Sequence, residues 1–366
     1  VKHAIFSPSA AERWLACPGS VRLSTGAPAA PTSPYALEGI AMHDLAARCL
    51  VENLDPKEHA PEVLPPGAID AVIFYVELIR RSMARAGWFG IERTLRYNDY
   101  LFGTADYIGV TGDVLEVVDL KGGAGVLVAA ENNPQLRTYA WLGLVDEKVH
   151  EHVRGCTRVR TTIVQPRAPN GPIREAEFGI EELVAWGLVL KRGMRAAAEP
   201  SPVFKTGAHC RWCPAAAICP ALREQTKTAL SRDPQGMSGT ELAEWLDTAE
   251  TLEAWIKALR EYASQQITDG ALVPGWIMRP KRAIRKWIDE KRAAEALRAL
   301  GVEPYVSEII SVAQADKALK ADFGALEDLW SAESSGYTLA RGEEPALTEK
   351  GVVIEQAAQK QKHPTT

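Results

Sequence analysis

Residues 103–123 read GTADYIGVTGDVLEVVDLKGG. Two apolar runs, Tyr107-Ile108-Gly109-Val110 and Val114-Leu115-Glu116-Val117-Val118, flank Thr111-Gly112-Asp113, so the stretch predicts a β-hairpin turning at the glycine. Side chains two apart on a strand share a face, so Val117, Asp119 and Lys121 point the same way. Asp106 falls near the start of the partner strand. Two carboxylates and an ammonium thus gather at one end of an apolar hairpin, beside Gly122-Gly123. Ionised groups are rarely set in a hydrophobic strand unless a metal or a substrate offsets the cost of burying them.

Outward from the hairpin, the pattern predicts further strands at about Ile91–Tyr97, Cys156–Gln165 and Arg174–Phe178. Helices are expected at about Leu37 to Asn53, Ala68 to Ala86, Asn133 to Glu147 and Ile180 to Ala198. Asn133-Pro134 supplies a cap and a first-turn proline. Ser9 with Glu12, and Ser238 with Glu241, are spaced as capping boxes, the first opening a short helix that Cys17-Pro18-Gly19 stops. The fold class is α/β (α+β), a mixed central sheet flanked by helices. Beyond a boundary near Arg232–Gly236 the strand signal ends, and Leu242, Trp245, Leu246, Leu252, Ile256 and Leu259 keep helical spacing. The organisation is a first domain over 1–230, a mainly helical domain over 236–345 and a polar, disordered tail over 346–366.

Composition sets outer limits. The 366 residues carry 47 acids against 42 bases, a net charge of −5, so no global basic signature marks a nucleic-acid binder, although a local patch would suffice. No apolar run of about 18 residues occurs, which predicts no membrane span. VKHAIFSPSAAERW lacks a charged segment followed by an apolar core, so no signal peptide is expected, and a reducing cytoplasm is.

Several groups could carry chemistry. Asp106 and Asp119 form a hard oxygen site suited to Mg²⁺ or Mn²⁺, with Lys121 placed to orient a water or neutralise charge on phosphorus. Gln135 and Tyr139, four apart on the next helix, share a face that can look back at that site. Gly39-x3-His43 places an imidazole on the helix expected from about Leu37 to Asn53. Cys210-x2-Cys213-x5-Cys219 has ligand-type spacing, with Cys17 upstream as a fourth thiolate, and suits either zinc or an iron–sulfur cluster. Arg279, Lys281, Arg282, Arg285 and Lys286, with Trp276 and Trp287 interleaved, suit a nucleic-acid backbone with base stacking.

Taken in order, Cys17, Gly39-x3-His43, Gly103-x2-Asp106, Asp119-x-Lys121, Gln135-x3-Tyr139 and the cysteine trio resemble the PD-(D/E)XK nuclease superfamily over about residues 5 to 225. Within it the pattern is similar to the RecB-like branch that carries an iron–sulfur cluster, as in the AddB nuclease domain and the CRISPR-associated adaptation exonucleases, and to an uncharacterised phage-encoded family. The resemblance implies a restriction-endonuclease-like fold. It implies metal ligands His43, Asp106 and Asp119 with the Leu120 carbonyl, a catalytic Lys121, supporting Gln135 and Tyr139, and a 4Fe–4S cluster on Cys17, Cys210, Cys213 and Cys219. Glu92 matches a strand acid seen before the Gly-x-x-Asp motif. The implied activity is a metal-dependent DNA exonuclease acting on single strands or DNA ends in recombination, replication or phage DNA processing, with a recombination or single-strand-binding protein as partner. The alternative is a non-catalytic DNA-binding or assembly module on the same fold. No Walker motif is present, so a motor would be a separate chain.

Overall fold

The hairpin forms the middle of a five-stranded sheet in the computed structural model, which describes residues 4–27, 34–123, 125–169, 171–231, 233 and 235–277. A 3₁₀ turn at Pro8–Ala10 leads into α1 (Ala11–Ala16), α2 (Gly19–Thr25), α3 (Pro34–Val51) and α4 (Pro66–Arg85). Then come β1 (Trp88–Arg96), β2 (Phe102–Thr111) and β3 (Val114–Leu120), followed by α5 (Pro134–Val145) and α6 (His150–Val153). β4 (Arg158–Val164), β5 (Ile173–Gly179) and α7 (Ile180–Ala198) follow, and 3₁₀ turns at Ala208–Trp212 and Ala216–Ile218 precede α8 (Pro220–Leu230) and α9 (Gly239–Thr268).

Strand order is sequential, β1 to β5, antiparallel everywhere except between β3 and β4. A parallel pair needs a crossover, and α5 with α6 provides it. Gly112, at φ 61°, takes the first of the two turn positions between Thr111 and Val114, where a II′-type hairpin favours glycine. Every residue of β3 is buried. Its alternate side chains serve two layers. Val117 joins Trp14, Leu136, Leu142 and Leu190 of α1, α5 and α7, while Val118 and Leu120 join Met42, Leu45, Val72 and Ile79 of α3 and α4. The architecture is therefore an α+β fold, a mixed sheet between helical layers. Its central strand is apolar on both faces, as a strand covered twice must be.

One local expectation is corrected. The Ser9–Glu12 box does not form: Pro8 starts a 3₁₀ turn, Ser9 Oγ bonds Ser7 Oγ at 3.3 Å, and α1 is entered from Ala10 without a side-chain cap. Cys17-Pro18 does stop the first helix as expected: α1 ends at Ala16, Cys17 leaves helical geometry at φ −131° and ψ 86°, and α2 starts afresh at Gly19. The Ser238–Glu241 box is present, with Glu241 N–H donating to Ser238 Oγ and Ser238 N–H to Glu241 Oε2.

Val1–Arg279 forms one compact unit and Pro280–Thr366 a second. The boundary expected near Arg232–Gly236 falls inside the first unit, since Trp255 and Ala258 of α9 pack on the cysteine turns. The basic run Arg279, Lys281, Arg282, Arg285 and Lys286, the helices expected after it and the tail lie outside the described residues. No described helix is long and apolar enough to cross a membrane.

Candidate active site

The strand registers bring the acids together. Ile91 lies opposite Tyr107 and Arg93 opposite Ala105, so Glu92 stands across from Asp106. Tyr107 lies opposite Val118, so the next position sets Asp106 across from Asp119. Three carboxylates thus form one row over β1, β2 and β3. Like charges directly opposite on paired strands destabilise a sheet, so the row calls for a cation. The backbone at Glu92 is unusual as well: its φ of 43° lies in the left-handed region, which costs a non-glycine residue about 1–3 kcal/mol.

His43 of α3 supplies one counter-charge, its Nδ1 lying 3.3 Å from Asp106 Oδ1. Burial disfavours the imidazolium, but the hydrogen bond and charge of Asp106 outweigh it and raise His43 to about 9. Burial, then the neighbouring Asp106, pushes Glu92 up to about 7. Ligand atoms of His43, Glu92 and Asp106 all lie within 4.8 Å of one another, the one such grouping of three among the described residues. An imidazole and two carboxylates so grouped suit a single divalent ion. Asp106 Oδ2 is held by the Leu120 N–H at 2.8 Å, which fixes the carboxylate to β3.

Asp119 faces the other side of the site. Its side chain is 4% exposed, Oδ1 accepts from Gln135 Nε2 at 2.7 Å, and Oδ2 lies 2.8 Å from Lys121 Nζ. That second contact is an ion pair without hydrogen-bond alignment, so Oδ2 is a buried oxygen with lone pairs to offer. Burial and then the charge of Asp106 raise the Asp119 carboxyl, with Lys121 opposing between them. Lys121 is raised, because the Asp119 charge overcomes its burial. Lys121 Nζ also donates to Gln135 Oε1 at 3.1 Å, so Asp119, Lys121 and Gln135 close a triangle. Tyr139, one turn along α5, is buried and pushed up by burial and by Asp119. Its ring explains Gly103: a Cβ there would meet Tyr139 at 3.1 Å and Pro8 at 2.7 Å.

The cysteines expected as a set share one neighbourhood. Cys210 and Cys219 are buried, with Cys213 packed against them. Cys17 Sγ accepts the Lys205 N–H at 3.3 Å, and His209 hydrogen-bonds both Cys17 and Cys210. Burial works to raise the Cys17 thiol, but the bonds from His209, Lys205 and Ser20 hold it below its usual value. His209 is pushed up to about 10 by its bonds to Cys17 and Cys210. Burial raises Cys213 and Cys219. Among the described residues, no three of these sulfurs come within 4.8 Å of one another. Cys49 and Cys156 lie in the two main cores.

A family model described as "Protein of unknown function (DUF2800)" matches residues 3–345. This chain belongs to the DUF2800 family. It is also similar to a solved structure titled "Crystal structure of SSO0001", 18% identical over 60% of this chain and 88% of that one, with a TM-score of 0.28. A score that low carries no argument about fold or activity.

In this DUF2800 chain the predicted site residues therefore divide in two. His43 and Asp106 come together with Glu92, while Asp119 joins Lys121 and Gln135 with Tyr139 alongside. Leu120 takes part through its amide, which bonds Asp106. Two further residues, just past the end of β4, belong to no motif of the sequence. Arg167 donates through Nε to the Gly122 carbonyl at 2.6 Å and through Nη2 to Gly122 and Glu38. Gln165 donates to the Gly123 and Val126 carbonyls at 2.7 and 2.8 Å. Together they clamp the strand that leaves Lys121. A polar pair directly after the apolar run Thr161–Val164 is the only sequence signal for them.

Proposed function

We propose that this protein is a metal-dependent DNA nuclease acting in the cytoplasm, an exonuclease on single strands or DNA ends, used in recombination, replication or phage DNA processing. The observation that carries the reading is the carboxylate row on β1–β3 with His43 at one end and the Asp119–Lys121–Gln135 triangle at the other. A row of three acids is costly to fold and has no structural use that apolar residues would not serve better. The residues that fit a divalent ion are His43, Glu92 and Asp106, with Asp119 Oδ2 as a further oxygen. Mg²⁺ or Mn²⁺ held there would supply Lewis acidity toward water and a phosphate oxygen. Lys121, fixed by Asp119 and Gln135, presents a cation to the charge that builds on the phosphoryl oxygens. Gln135 holds Asp119 through Oδ1 and aims it, and Tyr139 seats α5 against Gly103.

Cys17, Cys210, Cys213 and Cys219 would hold a 4Fe–4S cluster that ties the N-terminal segment to the end of the unit. Tetrahedral zinc, with Zn–S about 2.3 Å, sets every sulfur pair about 3.8 Å apart. Four thiolates accept either group, so the metal and sulfide content of the protein decides between them.

The test is digestion of end-labelled single- and double-stranded DNA with Mn²⁺ or Mg²⁺, using Asp119→Ala and Lys121→Ala as controls. Metal-dependent cleavage that both substitutions abolish is expected. Equal cleavage by all three proteins would sink the proposal. Anaerobic purification tests the cluster: brown protein with iron and sulfide is expected, and colourless protein with stoichiometric zinc would overturn it.

A further inference from the structure

The hairpin that carries Glu92 and Asp106 runs on past the carboxylate row and ends in a turn, with Arg96 opposite Phe102 and Tyr97 N–H bonded to the Leu101 carbonyl at 3.0 Å. The turn is rigid. Asn98 Oδ1 accepts the amides of Tyr100 and Leu101 at 2.9 and 2.8 Å, and the Tyr100 carbonyl accepts the Phe6 N–H at 2.9 Å. Yet this fixed backbone holds Tyr100 with 57% of its surface in solvent, and Tyr97 with 38%. Beside them the C-terminal end of α7 brings Lys191, Met194 and Arg195 to a cavity of about 320 Å³. Lys191 Nζ lies 5.5 Å from the Tyr97 ring centre and 5.8 Å from that of Trp141. Neither Lys191 nor Arg195 has a carboxylate partner among the described residues, and the acid of the turn, Asp99, is engaged by Arg96 at 3.2 Å.

We propose that this pocket takes one unstacked base and the adjoining phosphates of a single-stranded nucleic acid. The inference rests on the nuclease reading and narrows its substrate class. Tyr100 offers an exposed ring for stacking beside Tyr97, whose own ring already meets Trp141 and Lys191, and two cations without a carboxylate partner among the described residues, four apart on one helix, supply the charge that a phosphate backbone lacks. A duplex keeps its bases stacked inside and cannot lay one on an exposed tyrosine ring, so the ligand is a single strand. Five residues of strand at about 3.3 Å each put Tyr97 about 16 Å from Glu92, a few nucleotides from the carboxylate row. The pocket would hold a strand at that distance while its end lies in the site.

The experiment is fluorescence anisotropy of the full chain with labelled oligothymidylate in EDTA, where nothing is cut, against duplex DNA and thymidine monophosphate as competitors. Tyr100→Ala leaves the Tyr97–Trp141 contact in place and should weaken single-strand binding about ten-fold or more. Lys191→Ala and Arg195→Ala should each lower the salt dependence of binding by about 0.7 in slope. Competition by the mononucleotide or the duplex equal to that by the oligonucleotide would overturn the proposal. So would unchanged affinity in Tyr100→Ala together with an unchanged slope in Lys191→Ala. Because binding is read without metal, the two readings fail separately. Tyr100-dependent binding by a protein that cuts no DNA under any divalent ion would uphold the pocket and overturn the nuclease. A protein that cuts DNA but binds strands independently of Tyr100 would do the reverse.

Discussion

Replacing Lys121 by Met should reveal how much of the site's order rests on one ion pair. Lys121 Nζ lies 2.8 Å from Asp119 Oδ2, and the Asp119 side chain is 4% exposed, so the substitution strands a buried carboxylate. Breaking a buried pair costs about 3–5 kcal/mol. Gln135 still donates to Oδ1 at 2.7 Å and the Lys121 side chain is 29% exposed, so the low end applies, about 3 kcal/mol. For a unit of this size that is a fall of about 6–12 °C in Tm. The sign with pH follows from Asp119, whose carboxyl is already raised by burial and rises further without the ammonium. A raised carboxyl contributes stability below its unfolded value and loses it as pH rises through the folded one. The deficit of Lys121→Met should therefore be largest at neutral and alkaline pH and close on acidification. Asp119→Asn placed in the same chain should restore most of the loss, with a coupling of at least about 1 kcal/mol in a double-mutant cycle. Urea and thermal unfolding in EDTA measure all of this. Additive effects of the two substitutions, or a loss independent of pH, would refute the buried pair.

Other outcomes follow from the same geometry. In metal-free protein His43, raised to about 9, contributes stability that is full below about pH 6.5 and lost as pH rises through about 9, a slope that His43→Ala should abolish in EDTA melts. Metal must displace that proton, so Mn²⁺ affinity measured by calorimetry should climb over the same range, with proton release. The nitrogen donor should also favour Mn²⁺ over Mg²⁺, a preference that His43→Ala reduces. Gly103→Ala, forced against Pro8 and Tyr139, should cost about 1–3 kcal/mol and lower nuclease rate through α5, seen as a shifted urea midpoint. Cys17→Ser should lose iron and unfold at lower temperature, since His209 and the Lys205 amide lose their partner.

Much of the sheet could be read from the chain alone because local chemistry and burial agree there. Val114–Leu120 is apolar on both faces and is buried on both, and Gly112 marks the turn with the one residue type its φ favours. Ser238–Glu241 reads as a cap and is one. Ser9 reads as a cap and is not, because Pro8 one residue earlier sets a 3₁₀ turn whose geometry moves the helix start to Ala11. At the site, Asp119, Lys121 and Gln135 were legible by their spacing on adjacent elements. The partnership of Glu92 with His43 was not, since it depends on strand register and on a backbone angle that Glu rarely adopts. Gln165 and Arg167 act on backbone carbonyls, and an acceptor every residue possesses leaves no mark in the sequence. The packing of α9 on the cysteine turns leaves no local mark for a similar reason, because Trp255 finds its neighbours only once those turns are folded.

The contact between Cys17 and Lys205 joins residues 188 positions apart. At about 5–20 residues per second of synthesis, the sulfur of Cys17 waits about 10–40 s for the segment that encloses it. During that interval Cys17, at the junction of α1 and α2, lacks the Lys205 amide and His209 that later bond it, and its thiol is open to oxidants and to stray metal. A cluster of the kind proposed could be completed only after translation has passed residue 219, where the last of its four thiolates is made. Cells starved of iron should then accumulate a full-length protein that proteases recognise by its loose first turn, long before any defect shows in the strands.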